Sequence, residues 1–148
     1  MKKIIGIAGL TLISFLGFAQ SPDEAGIRAA CLDYIDAFYR ADTTLAYRSV
    51  HPKLQKRGFA YSEQNKAWSR QLEMPFPALV NLAKKWNATG QSANANSVRE
   101  VKILDIEDKT AAAKVTAVWG IDYIHLVKED GRWWVMNVLW QSLPKKGS

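Results

Sequence analysis

The chain has 148 residues, 48% of them hydrophobic and 23% charged, which suits one domain with a sizeable core and excludes extensive disorder. Its formal net charge of +6 is spread without a basic block, so composition does not support nucleic-acid binding and only mildly favours anionic ligands or surfaces. Cys31 is the sole cysteine, which excludes an intramolecular disulfide, and no Cys/His cluster of the kind a zinc site needs is present.

Residues at the start of the chain carry a targeting pattern. Lys2 and Lys3 form a positive patch, Ile4 to Phe18 is an uncharged and mostly apolar run, and Gly17-Phe18-Ala19 offers small residues before a cut ahead of Gln20. The apolar run of about 15 residues falls short of the roughly 20 that span a bilayer as a helix, which disfavours an uncleaved anchor. Residues 1–19 are therefore expected to be a cleavable signal peptide, and 20–148 a single domain exported to the periplasm or beyond the cell. Membrane contact is expected only transiently, during export. Cleavage removes Lys2 and Lys3 and no acid, leaving 18 basic against 14 acidic residues, a net +4.

Ser21-Pro22-Asp23-Glu24 reads as a helix start, with serine as cap, proline at the first helical position and Glu24 closing a capping box. Ile27, Cys31, Tyr34, Ile35 and Phe38 follow at helical spacing as one apolar stripe, with Arg28, Asp36 and Arg40 away from it. Within the stripe Cys31 reads as a buried, inert thiol. Asp42 caps a second, short helix through Leu45, Ala46 and Val50, which Pro52 is expected to end. Leu54 to Tyr61 and Ala67 to Leu72 read as two short strands around Ser62-Glu63-Gln64-Asn65. Pro75 to Trp86 returns to helical spacing, and Asn87 to Ser97 reads as a loop.

From Val98 onward the period becomes two. Four strands are expected: 98–107, 110–119, 121–128 and 132–141, broken at Asp108-Lys109, Gly120 and Asp130-Gly131. Asp-Gly between alternating runs is a strong hairpin signal, and connections this short make antiparallel neighbours. The expected architecture is α+β: three N-terminal helices packed on one face of a curved antiparallel sheet of four long strands plus a short hairpin. The last strand is apolar on both faces, Trp133, Val135 and Leu139 against Trp134, Met136, Val138 and Trp140. One set should meet the helices, and self-association as a homodimer would cover the other.

This element order is that of the nuclear transport factor 2-like (SnoaL-like) fold. Asp33-Tyr34-Ile35, Phe38-Tyr39 and His51-Pro52-Lys53-Leu54-Gln55-Lys56-Arg57 resemble the putative lumazine-binding family of bacterial proteins. So do Asp122 to Lys128, Asp130-Gly131-Arg132-Trp133 and Asn137-Val138-Leu139-Trp140, and the likeness covers roughly residues 24–141. One departure is Ala41-Asp42, where these proteins often carry a glycine before the acid. The resemblance implies a cone with a pocket between helices and sheet. It carries over no substrate, since similar cones serve as isomerases, dehydratases, cyclases and binding modules.

Proton transfer needs only one or two titratable groups in a dry pocket. Alternation puts Tyr123 and His125 on the same face of their strand, and Tyr34 on the buried stripe of the first helix could meet them across the core. His51 would end the second helix near the mouth of the cone. These four are the candidate catalytic residues; hydrogen-bonded core positions are the competing reading of Tyr34, Tyr123 and His125, and helix closure that of His51. Asp33 and Asp122 are weaker candidates, and Asp122 should face opposite Tyr123. His51, Lys53, Lys56 and Arg57 form a basic cluster that could recruit a carboxylate or phosphate, or discourage edge pairing. Six tryptophans in a chain this short suggest a heavy core or a pocket wall, with Trp68, Trp119 and Trp140 as possible walls.

Three functions remain in play. The leading one is an exported small-molecule-binding domain with an aromatic-lined pocket built from Tyr34, His51, Arg57, Trp68, Tyr123, His125 and Trp140, its ligand of anionic or heteroaromatic character. The second is a proton-transfer enzyme of the isomerase or dehydratase kind using a pocket His/Tyr pair. The third is a protein-interaction domain using the outer sheet face. Neither a cofactor nor a metal is expected.

Overall fold

The computed structural model describes residues 21–143; the expected signal peptide at 1–19 and the tail from Pro144 lie outside them. The Ser21 hydroxyl accepts the Glu24 N–H at 3.0 Å and Pro22 takes the first helical position, so α1 (Pro22–Tyr39) begins at the expected cap. Its stripe of Ile27, Cys31, Tyr34, Ile35 and Phe38 is buried throughout. Asp36, expected away from the stripe, is also buried, held between Arg40 at 2.8 Å and Arg99 at 3.0 Å.

Beyond α1 the chain turns at Ala41, whose φ of 51° lies in the left-handed region that glycine occupies at least cost. Asp42 then caps α2 (Thr43–Ser49) by accepting the Thr44 N–H at 2.9 Å. Pro52 does not end this helix. The helix stops three residues earlier and the chain runs straight into β1 (Val50–Phe59), with Pro52 inside an irregular stretch of its pairing, where a missing N–H is tolerated.

The expected short hairpin exists only as a remnant, β2 (Tyr61–Ser62) against β3 (Ala67–Trp68). Its flanks belong to the main sheet, since β1 pairs antiparallel with β4 (Leu72–Pro75). Then come α3 (Phe76–Trp86), β5 (Arg99–Ile106), β6 (Thr110–Ala117), β7 (Gly120–Glu129) and β8 (Arg132–Gln141), close to their expected limits. At the β7–β8 turn Asp130 and Gly131 have φ of 50° and 75°, as a tight hairpin of this type requires.

The main sheet therefore has six strands, in the order β4-β1-β8-β7-β6-β5, and it is mixed rather than purely antiparallel. The last four strands form the expected meander, while β1 lies parallel to β8, with α3 and β5–β7 supplying the long connection that a parallel pair needs. The helices lie on one face, with α1 crossing β5, β6 and β8.

A bulge resolves the two-sided apolarity of β8. Val135 pairs with Leu126 and Asn137 with His125, which makes Met136 an extra residue and reverses the alternation beyond it. The buried set is thus Trp133, Val135 and Val138 with Trp140 partly buried, not either of the sets strict alternation gives, and Leu139 is 53% exposed.

Candidate functional site

Strand parity on β1 and β7 decides what the interior contains. On β1, Leu54 and Lys56 point inward and Gln55 and Arg57 outward. On β7, Asp122, Ile124 and Leu126 point inward while Tyr123 and His125 face out. A lysine and an aspartate consequently enter an otherwise apolar core, where each needs partners.

They find them on α1. The Lys56 ammonium donates to the Tyr34 hydroxyl, which donates in turn to Asp122 Oδ2 at 2.9 Å, and Lys56 Nζ lies 3.7 Å from Asp122 Oδ1. The Trp119 indole N–H adds a bond to Oδ2 at 3.1 Å. Oδ1 receives no hydrogen bond from the described residues although Asp122 is wholly buried. Lys56 Nζ also sits 5.2 Å from the Tyr34 ring centre and 5.4 Å from that of Trp140, within cation–π range. Burial lowers the Lys56 pKa, against the pull of Asp122, because a charge is poorly solvated there. Burial, reinforced by the neighbouring carboxylate, raises that of Tyr34 well above the ordinary phenol value, so the phenol keeps its proton. Burial likewise pushes the Cys31 thiol up to about 12, in keeping with an inert thiol.

Above Lys56 is a cavity of about 140 Å³ that opens to solvent between the helices and the sheet. Its walls are Phe38 from α1, Met74 from β4, Leu82 and Trp86 from α3, Trp119 from the β6–β7 turn and Trp140 from β8. Trp119 packs against Phe38 with ring centres 5.2 Å apart and against Trp86 at 5.5 Å. Lys56 is the one charged residue in this lining. Such a space can hold a ring between aromatic faces and meet one polar group of the occupant with an ammonium.

A larger depression lies between the start of α1 and the β7–β8 hairpin, but its charges are spoken for. There Asp33 holds Arg48 through two bonds of 2.6 Å, Asp23 accepts from Lys128 and Trp133, and the Arg132 guanidinium stacks on Trp134 at 3.6 Å. Among the described residues no group of three or more His, Cys, Asp or Glu could hold a metal ion.

The residues singled out in the sequence divide among several places. Trp140 and Trp119 form walls of the cavity, and Tyr34 lies buried outside its lining, hydrogen-bonded to Lys56. Tyr123 and His125 do not meet Tyr34: they share a face, as alternation requires, but it is the outer one, and Tyr123 is 48% exposed. Arg57 joins them there in a groove with Asn137 and Leu139, and pairs with Glu73 at 3.2 Å. His51 is the second residue of β1 instead of closing α2; its Nδ1 accepts the Lys53 N–H at 3.0 Å and its Nε2 faces Glu129 at 3.3 Å. Trp68 lies on β3 against Tyr61 and is 46% exposed. Neither histidine lines the cavity, so the pocket His/Tyr pair is not assembled. The basic cluster is split by the pleat, with Lys56 inside and Lys53 and Arg57 outside.

Lys56 and Asp122 are more central to the site than the sequence suggests, and Phe38, Met74, Leu82 and Trp86 are walls that it does not indicate. The signal for the two charges was present: Asp122 shares parity with Ile124 and Leu126, and Lys56 with Leu54.

Residues 22–141 match a protein-family model described as putative lumazine-binding. No curated protein is a significant match to the chain. Several solved structures share the fold. An NTF2-like protein of unknown function from Shewanella baltica is 17% identical, with a TM-score of 0.64 over 83% of this chain and 95% of that one. Another from Silicibacter pomeroyi is 16% identical, with a TM-score of 0.62 over 84% and 99%. A ketosteroid isomerase-like protein from Erwinia carotovora atroseptica is also 16% identical, with a TM-score of 0.53 over 84% and 98%. At these identities the likeness is one of fold.

Proposed function

Because the chain belongs to the putative lumazine-binding family of the nuclear transport factor 2-like superfamily, we propose that it is a small-molecule-binding domain whose site is the Lys56 cavity. One observation carries this reading: a single ammonium, backed by the buried Asp122, stands at the floor of an open, aromatic-walled space and is the one charged group in its lining. The occupant it favours is flat and partly apolar, stacked among Trp86, Trp119 and Trp140, with a carboxylate or carbonyl oxygen turned to Lys56. The space approximates the engineered apolar cavity of about 150 Å³ that takes benzene, so one ring fits within it and a fused second ring would reach the mouth.

Thermal-shift and tryptophan-fluorescence titrations with benzoate and with lumazine test the proposal. Stabilisation by at least one of them, weakened tenfold or more in Lys56→Met, is the expected result. No stabilisation and no fluorescence change with either would remove it.

A second surface is favoured by the exposure of Tyr123 and Leu139 on the outer sheet face, beside Arg57 and His125. We propose that this face mediates self-association. Light scattering at micromolar concentration should then give twice the chain mass, falling to the single mass in Leu139→Lys; a single mass for the parent protein would contradict it. Export is likewise proposed on the pattern of Lys2, Lys3, Ile4 to Phe18 and Gly17-Phe18-Ala19. N-terminal sequencing of the mature protein should begin at Gln20, and an intact Met1 would refute cleavage.

A further inference from the structure

Lys56 is 6% exposed, and among the residues lining the cavity it is the one that carries an amine. An amine kept from water in an apolar pocket is a nucleophile whenever it can shed its proton. A route for that proton is built in. Lys56 donates to the Tyr34 hydroxyl and Tyr34 donates to Asp122 Oδ2. Moving one proton along each bond leaves a neutral amine, a neutral phenol and a protonated carboxyl, so that neither member of the pair carries a charge. The second oxygen of Asp122, 3.7 Å from Nζ and without a hydrogen bond, is a further acceptor beside the amine. A charge pair with both carboxylate oxygens satisfied would resist such neutralisation; this one is incompletely held.

We propose that the cavity captures small aldehydes or ketones by forming an imine with the Lys56 side chain. The inference rests on the reading that the cavity takes a small molecule, and adds a reaction to it. The amine lone pair attacks the carbonyl carbon, a C–N bond forms, and the carbonyl π electrons move to oxygen. Nitrogen gives up one proton and oxygen gains one, which yields a neutral carbinolamine. The nitrogen lone pair then forms the C=N bond as the C–O bond breaks, and the oxygen takes a second proton, supplied by the Asp122 carboxyl, and leaves as water. The remaining N–H proton returns to the Asp122 carboxylate through Tyr34, so the sum is amine plus carbonyl giving imine plus water. No oxidant or reductant is consumed. The aromatic walls of Phe38, Trp86, Trp119 and Trp140 suit a carbonyl compound with a single ring or a branched apolar body, and limit the water that would hydrolyse the imine.

Benzaldehyde with sodium cyanoborohydride provides the test, read by intact mass and peptide mapping, with benzoate binding followed in parallel by tryptophan fluorescence. The expected result is one benzyl group per chain on Lys56, added at least ten times faster than on any other lysine. Benzoate should suppress that labelling and leave labelling of exposed lysines alone, a readout in the parent protein that does not depend on a variant folding. Lys56→Arg should lose the fast label. The groups facing the Lys56 amine are Tyr34 from α1, Asp122 from β7 and the Trp140 ring from β8. Tyr34→Phe should therefore slow labelling about tenfold and move its pH optimum upward, since the hydroxyl that relays the proton to Asp122 is gone. An unchanged pH profile in that variant would overturn the assigned proton route. Benzoate binding with Lys56 labelled no faster than surface lysines would overturn imine capture and leave the binding site standing. Failure of both would overturn both.

Discussion

Lys56 and Arg57 are neighbours in sequence, as are Asp122 and Tyr123, yet each pair straddles the sheet and its members have different physical lives. Inside, Lys56 donates to the Tyr34 hydroxyl, and Asp122 accepts from that hydroxyl and from the Trp119 indole N–H. Outside, Arg57 and Glu73 form an ion pair with both side chains about half exposed or more. Water screens the outer pair, so its expected worth is at most about 1 kcal/mol. The inner pair has given up most of its hydration, and losing one partner leaves a buried charge without its counter-charge. Residue type alone does not carry function here; the face does.

The largest effect should come from breaking the inner pair. Asp122→Ala and Lys56→Met are each expected to cost about 3–5 kcal/mol in urea unfolding, because each strands a buried charge. The double variant Lys56→Met/Asp122→Ala should cost much less than the two combined, since it removes both charges together. Arg57→Ala and Glu73→Ala should each stay within about 1 kcal/mol. Additive inner variants would break the contrast.

Alkaline pH sharpens it from another side. Cys31 and Tyr34 are raised by burial, so the stability they contribute is full below their unfolded pKa values, near 9 and 10, and is lost as pH climbs towards their folded ones. Lys56 is lowered, so its contribution runs the other way and grows as pH rises towards 10.5. With the Cys31 thiol displaced from 9.0 to about 12, that residue alone should remove about 2 kcal/mol between pH 9 and 11. Urea unfolding across this range should show Cys31→Ala declining less steeply than the parent. Parallel declines would mean that Cys31 is not shielded as described.

Next in size is Gly58 on β1. A Cβ added there would stand 2.2 Å from the Trp140 carbonyl oxygen and against its indole, so strand and cavity wall would have to move. Gly58→Ala is expected to cost about 1–3 kcal/mol and to weaken benzoate binding through the displaced Trp140. The smallest effects belong to the outer face, where Tyr123→Ala and His125→Ala should change the stability of the separate chain by no more than about 0.5 kcal/mol. Benzoate affinity should be untouched by either. A loss of binding in His125→Ala would return the histidine to the site.

Much of the fold was legible because its signals are local. Ser21-Pro22 at the start of α1, the stripe from Ile27 to Phe38, the Asp42 cap and the Asp130-Gly131 turn each act within a few residues, and each lies where the sequence indicates. The parallel pairing of β1 with β8 joins segments far apart in sequence, and nothing near Val50 or Arg132 announces it. The bulge at Met136 is equally silent, since both alternating sets of β8 are apolar and either could be buried. Alternation correctly grouped Tyr123 with His125 and opposed Asp122 to them. Ile124 and Leu126 mark the Asp122 side as the inner one, but the cost of burying an aspartate argues against that choice until Tyr34 and Lys56 are known to meet it. Lys56 was hidden for the same reason: a charge beside Lys53 and Arg57 reads as surface until parity with Leu54 puts it in the core. The polar residues that matter most to the site are those that break the local rule and are compensated by a partner elsewhere in the chain.

Central to the account is a ligand held between Trp86, Trp119 and Trp140 above Lys56, and the indole N–H resonances of the six tryptophans report on it directly. During an NMR titration with benzoate, the signals of those three should move together and saturate with one affinity, while those of Trp68, Trp133 and Trp134 remain in place. Shifts confined to Trp68, Trp133 or Trp134, or no shift in any indole at saturating benzoate, would contradict it.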